Sequence, residues 1–340
     1  MMSARDAFAY QARACASLGS PFMERLCNLC ATSEWPEGPV KDRIFSWEGD
    51  LSPRGHSVPL RLAGALHALV LQRDLPIHAV YPPVEVDDAE LWSAVSAALV
   101  EHQTQILAWL DNAPQTNEVR RSAAIIAAAH VVAAHFGKPL RTSELGASAG
   151  LNLMWDRYGL KIGDSLIGPD DVLTLSPEWT GALPPLPTPV VTDRGGVDLS
   201  PIDPTNPHDA LRIQAYLWPD QPDRLARTRA AIAVAKTKVD QGDAIDWLSN
   251  RMAPQPGTTH FIYHTIAWQY FPQERQDTGT RMIEEAGEMA TSDSPIAWFA
   301  MENDGQDRGA GLTLRLWPGD VKIDLGRADF HGRWIEWKEI

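Results

Sequence analysis

The densest run of chemically useful residues is Ser143-Glu144-Leu145-Gly146-Ala147-Ser148-Ala149-Gly150-Leu151-Asn152. Its small residues let the backbone turn sharply and let a ligand approach closely. The run leaves a predicted strand over 140–145 and opens a predicted helix over 151–158. Unpaired N–H groups and the positive end of a helix dipole would therefore face the turn. Two chemistries use such a feature. One raises Ser148 as a nucleophile, with Asp304 and His331 following in the order acid then base. The other cradles a nucleotide cofactor, with Glu144, Gly146, Ser148 and Gly150 shaping the loop.

Gly146-Ala147-Ser148-Ala149-Gly150 satisfies the G-x-S-x-G nucleophile elbow of the α/β-hydrolases. Helices rather than strands precede it, however, and no HGGG-type segment lies upstream. The alternative pattern, acid-x-Gly-x-small-x-Gly at Glu144, Gly146, Ser148 and Gly150, resembles the first motif of class I S-adenosylmethionine-dependent methyltransferases. It is not the G-x-G-x-x-G of dinucleotide enzymes. Later segments extend the resemblance. Gly196-Val197-Asp198 looks like the end of a second strand, Gly242-Asp243-Ala244 like a third motif, and Phe261-Ile262-Tyr263-His264-Thr265 like a fourth strand.

The resemblance implies S-adenosylmethionine as cofactor and a small-molecule methyl acceptor. It implies that Asp198 holds ribose, since a carboxylate offers two acceptor oxygens, and that Asp243 meets adenine. His264 is the candidate base, because ligands in such sheets bind beyond the carboxyl ends of the strands. Trp268 and Tyr270 would offer aromatic faces to a sulfonium cation. Asn117, Glu118 and Arg121 open the helix that leads into the first strand, and are candidate substrate contacts. One departure is large. The usual separation of the loop from the ribose acid is about 20 residues, but Glu144 and Asp198 stand 54 apart.

Those residues need elements to hold them. Residues 1–138 read as about five helices and no strand, carried by apolar residues at three- and four-residue spacing. A single helix is expected from Asp87 or Asp88 through Leu110. Residues 139–340 alternate short apolar runs with helical stretches, the pattern of a parallel α/β sheet. Strands are expected over 140–145, 190–199, 237–239, 260–265 and 296–301. An antiparallel hairpin is expected around Pro318-Gly319-Asp320. The fold expected is thus α/β: a Rossmann-like class I methyltransferase sheet with a terminal hairpin, after an all-helical N-terminal domain. Six prolines fall within about 159–189, which reads as an irregular insertion that covers or blocks the cofactor site. The insertion keeps a third reading open, a non-catalytic binding protein on the same fold.

The whole chain also resembles an uncharacterised bacterial family, domain of unknown function 2332. The segments that carry this are VPLRLAGALHALVL, TNEVRR, ELGASAGLNLMWDRYG, GVDLSPID, YLWPDQPDRLARTR and YHTIAWQY.

Composition narrows the classes. The 340 residues carry 30 Lys and Arg against 44 Asp and Glu, a net charge of −14. Such a surface repels phosphate backbones and anionic membranes, so neither nucleic acid nor membrane is an expected partner. Oligomeric state is not readable. No apolar run approaches 18 residues, and the N-terminus lacks the basic-then-apolar order of a secretory signal. With three cysteines, a cytoplasmic location is expected. Cys27-Asn28-Leu29-Cys30 has no second ligand pair, so buried helix cysteines rather than zinc are expected.

Overall fold

A computed structural model describes residues 2–53, 55–73 and 76–339. The chain divides into two compact units, residues 1–116 with 206–226, and residues 117–205 with 227–340. This division differs from a single boundary at 138, because the helix ending at Phe136 and a short segment after residue 205 change sides.

The first unit is helical. Its elements are α1 (Ala4–Ser17), α2 (Pro21–Thr32), α3 (Pro39–Phe45), α4 (Val58–Leu71), α5 (Asp88–Glu101) and α6 (Gln103–Leu110). Ser3, Ser20 and Asp87 cap α1, α2 and α5 by accepting backbone N–H groups. The helix expected through Leu110 breaks at His102, whose φ of −108° and ψ of 24° lie outside the helical range. α4 is apolar nearly all round and buried nearly all round. Cys15, Cys27 and Cys30 are all buried in this unit.

The second unit holds most of the remaining elements. α7 (Ser122–Phe136) leads into β1 (Leu140–Leu145). Residues 151–158, expected as an α-helix, instead form a 3-10 helix over Leu151–Arg157 that kinks at Met154. The proline-rich stretch is not irregular throughout. It contains β2 (Gly159–Ile162), β3 (Ser165–Ile167), β4 (Thr174–Leu175) and β5 (Glu178–Gly181). Gly163, at φ +57°, makes the tight turn between β2 and β3. The chain continues through β6 (Val191–Asp198), α8 (Pro207–Ala215) of the first unit, and α9 (Pro222–Val234), which runs across the division of the units. It ends with β7 (Asp240–Gln241), α10 (Ala244–Ser249), β8 (Thr259–Thr265), α11 (Gln273–Glu288), β9 (Ile296–Glu302), β10 (Ala310–Trp317), β11 (Val321–Ala328) and β12 (Trp334–Trp337).

Nine of these strands form one sheet in the order β5-β12-β11-β10-β9-β8-β1-β6-β7. The run from β7 to β9 is parallel. β9 through β12 then alternate in direction, and the expected hairpin is β10–β11. β2, β3 and β4 form a separate small sheet. Taken in chain order, the parallel strands lie third, second, first, fourth, fifth, so the winding reverses between β1 and β8. Open α/β sheets bind ligands at such a reversal, beyond the carboxyl ends of the strands. β1 and β8 are buried at every position, as central strands covered on both faces must be.

The insertion passes along the sheet before it returns to β6 beside β1. Pro185 O receives a hydrogen-bond contact from His130 Nδ1 of α7 at 2.9 Å, and β5 joins β12 at the opposite edge of the sheet from β7. Among the described residues, no helix is long and apolar enough to cross a membrane.

Candidate functional site

The glycine loop sits where the winding reverses. Gly146, Ser148 and Gly150 have φ values of +75°, +54° and +70°. A left-handed serine is uncommon, and three such residues in five make a compact turn that a larger sequence would strain. Gly146 and Ala147 N–H donate to Val197 O of β6, and Ile202 N–H donates to Ser148 O. Packing explains both glycines. A Cβ on Gly146 would come 2.5 Å from Ala267 Cβ, and one on Gly150 would come 2.9 Å from Val239 Cγ2.

Asp198, at the end of β6, closes on this loop. Ser148 N–H donates to its Oδ2 and Ser200 N–H to its Oδ1, each at 2.9 Å. Each oxygen keeps lone-pair capacity for a further donor. Glu144, at the end of β1, is buried, and its Oε2 has no hydrogen-bond partner. Burial, reinforced by the nearby Asp198 charge, pushes the Glu144 carboxyl well above the ordinary glutamate value; Arg121 and Tyr263 oppose this only in part. The neutral form is thereby favoured. Ser148 Oγ is also buried without a partner.

Asn117 and Glu118, ahead of α7, bond the end of the same loop. Leu151 N–H donates to Asn117 Oδ1 at 2.8 Å. Asn152 Nδ2 donates to Glu118 O at 3.3 Å, and Ser122 Oγ donates to Asn152 Oδ1 at 2.7 Å. Arg121 reaches across, donating to Thr265 O at the end of β8 and to Phe330 O in the turn after β11. Asn117 and Glu118 are thus buried supports of the loop.

The aromatic side of the site lies beyond β8. His264 is buried, its Nδ1 is 2.8 Å from Glu302 Oε1, and Trp298 Nε1 donates to its Nε2 at 3.0 Å. Trp298 therefore fixes the tautomer, with the proton on Nδ1. Both nitrogens are spent within the protein, so His264 has no lone pair for taking a substrate proton in this arrangement. Its ring stacks on Trp268 at 4.7 Å between centroids. Glu302 Oε1 also accepts Ala267 and Trp268 N–H. Burial would raise the Glu302 carboxyl, but the hydrogen bonds from His264 and these two amides hold it below the ordinary value. Tyr270 is 74% exposed on the 3-10 turn Trp268–Tyr270.

Asp243 has a different occupation. It caps α10 by accepting Ile245 and Asp246 N–H, and it pairs with Arg275. Burial would raise its carboxyl, but Arg275 and the two amides hold it low. The hydrolase arrangement is not assembled either. Ser148 Oγ has no base, and both Asp304 oxygens take Arg327 rather than His331.

Two residues of the site are not among those expected from the sequence, Glu302 and Asn152. Glu302 stands one position beyond the predicted strand over 296–301, at the carboxyl end where ligands gather in such sheets. Asn152 lies within the loop, but its role depends on Ser122 and Glu118, 30 or more positions away.

No curated protein matches this chain. A family model described as "Uncharacterized protein conserved in bacteria" matches residues 5–337. The chain belongs to that family, DUF2332.

Proposed function

We propose that the second unit binds S-adenosylmethionine at the reversal of its parallel sheet and transfers the methyl group to a small molecule. The observation that carries this reading is Asp198 at the end of the second parallel strand, bonded to the backbone of the glycine loop after the first. A Rossmann-like methyltransferase sheet is the finer fold that goes with it, supported by the third-second-first-fourth-fifth strand order. The final strands depart from a simple hairpin, since β9 to β12 form a longer antiparallel run.

The residues present fit a nucleoside sulfonium in part. Ser148 Oγ and Glu144 Oε2 are buried polar atoms without partners, and Asp198 retains acceptor capacity for ribose hydroxyls. Asp243 does not fit an adenine role while it caps α10 and pairs with Arg275. The cofactor supplies an activated methyl with a good leaving group. The protein's own work is positioning: Asn117 and Asp198 fix the loop, Arg121 ties the start of α7 to β8 and the turn after β11, and the His264–Glu302 pair fixes Trp268. Orientation of this kind accounts for much of the rate in such transfers. His264 then serves as a positioning residue.

Calorimetric titration with S-adenosylmethionine and S-adenosylhomocysteine tests the reading. Saturable binding is expected, weakened at least tenfold by Asp198→Ala. Absence of binding by well-folded protein overturns it. A second reading, nucleoside binding without methyl transfer, is favoured by the engagement of both His264 nitrogens. Binding of S-adenosylhomocysteine with no labelled methyl transferred to any of a set of small acceptors would support it.

A further inference from the structure

The opposite ends of the same strands hold a second polar group that the proposed reaction does not use. Arg141 is the second residue of β1, and His260 the second residue of β8. Ser143 Oγ lies 2.8 Å from His260 Nε2 and accepts Arg251 Nε–H at 3.0 Å. The serine hydroxyl keeps a proton to donate and a second lone pair, so either imidazole tautomer satisfies its contact with His260 Nε2. No hydrogen bond reaches Nδ1 among the described residues.

Charge is unbalanced here. Arg251 donates to Asp193 Oδ2 at 2.6 Å, while Arg141 Nε stands 3.5 Å from that same oxygen. Arg141 Nε is buried without a hydrogen bond, although Arg141 donates from Nη1 to Ala253 O at 3.2 Å. Two guanidinium groups thus share one half-exposed carboxylate. Burial, with the Arg141 and Arg251 charges adding, pulls the His260 imidazole down to about 3, so the histidine is neutral. Burial, with Arg251 adding, also lowers Arg141 despite Asp193.

These groups border a cavity of about 160 Å³. Arg141 and His260 line it, and most of the remaining wall is apolar, with Met252, Ala286, Ala290 and Ile296. An apolar cavity of about 150 Å³ accommodates a benzene ring. An anion with one small apolar group matches both the Arg141 guanidinium and the hydrocarbon wall.

We propose that this cavity is a binding site for a small apolar monocarboxylate, with its carboxylate on Arg141 and its hydrocarbon part against Met252, Ala286 and Ala290. The site is separate from the glycine loop, and the inference stands whether or not that loop takes a nucleoside.

Titration of the full chain with benzoate, followed by calorimetry, is the test, with benzamide as the neutral control. Saturable binding of benzoate is expected, at least tenfold tighter than benzamide. Arg141→Met keeps the bulk and removes the charge, and should weaken benzoate at least tenfold. Ala290→Phe leaves the polar network intact and fills the cavity, and should abolish binding in protein of unchanged circular dichroism. Together the two variants keep the test decisive if one fails to fold. No saturation by millimolar benzoate, equal binding of benzamide, or unchanged binding in a folded variant overturns the proposal.

Discussion

The two ends of the central strands bury polar groups of opposite sign. At the carboxyl ends, Glu144 and Asp198 face a loop of backbone N–H groups, with Arg121 as the nearby cation. At the amino ends, Arg141 and Arg251 share Asp193 beside a buried histidine. Burial disfavours the charged form at both ends, raising the Glu144 carboxyl and lowering the His260 imidazole. The difference is what surrounds each group. At the carboxyl end Asp198 accepts main-chain donors, while Glu144 Oε2 is left without a partner. The amino end leaves donor capacity over. The two proposed sites would thus have opposite preferences, one for hydroxyl groups and cations, the other for an anion.

The sharpest way to break the comparison is through pH. His260 is held at about 3 in the folded chain, against roughly 6.5 in the unfolded chain. The unfolded state binds more protons between those values, so stability is full above about 6.5 and falls as pH drops toward 3. The slope approaches about 1.4 kcal/mol per pH unit. Glu144 acts with the opposite sign. Its folded value is raised, so its contribution is full below the ordinary glutamate value and is lost as pH rises through the folded value. Urea denaturation at a series of pH values should show His260→Gln flattening the acid side and Glu144→Gln flattening the other. A flat acid side in the parent protein contradicts the account of the amino end.

Gly146→Ala comes next. Its φ of +75° disfavours any side chain, and the new Cβ would stand 2.5 Å from Ala267 Cβ. A loss of about 3 kcal/mol is expected, measured by denaturant midpoint. A loss near zero would mean that the loop is not packed as described. Asn117→Ala removes the acceptor for Leu151 N–H in a buried setting and should cost about 1–3 kcal/mol. The same change should weaken nucleoside binding, because it loosens the turn. At the small end, Tyr270→Ala should leave stability unchanged within about 0.5 kcal/mol, as expected for an exposed side chain.

Much of this architecture was legible because it rests on local rules. The switch from helical spacing to short apolar runs after Gly137 marks the α/β sheet, and Pro318-Gly319-Asp320 marks the β10–β11 turn. β12 was not expected, since its four residues, Trp334–Trp337, carry no turn signal of their own and are fixed by pairing with β11 and β5. The proline-rich stretch misled for a similar reason. Prolines suppress a strand signal, yet β2 to β5 form between and around them through tertiary pairing.

At the site, the residue types were readable but their partners were not. Chain order suggests that Asn117, Glu118 and Arg121 lie near the loop; Asn117 and Glu118 bond residues 151 and 152, and Arg121 bonds Thr265 O. The engagement of His264 by Trp298 and Glu302 depends on β8 and β9 being neighbours. So does the Ser143–His260 contact, which depends on β1 pairing with β8. No spacing in the chain encodes either. The Arg275 pairing that takes Asp243 likewise joins residues 32 positions apart.

The central claim is that the loop between β1 and the 3-10 helix, closed by Asp198, is where a nucleoside sulfonium binds. Amide hydrogen exchange with and without S-adenosylhomocysteine measures it directly. The account predicts slowed exchange at Ser148, Gly150 and Leu151 and at Ser200. Unchanged exchange across these amides at a saturating concentration, or protection confined to other segments, would contradict it.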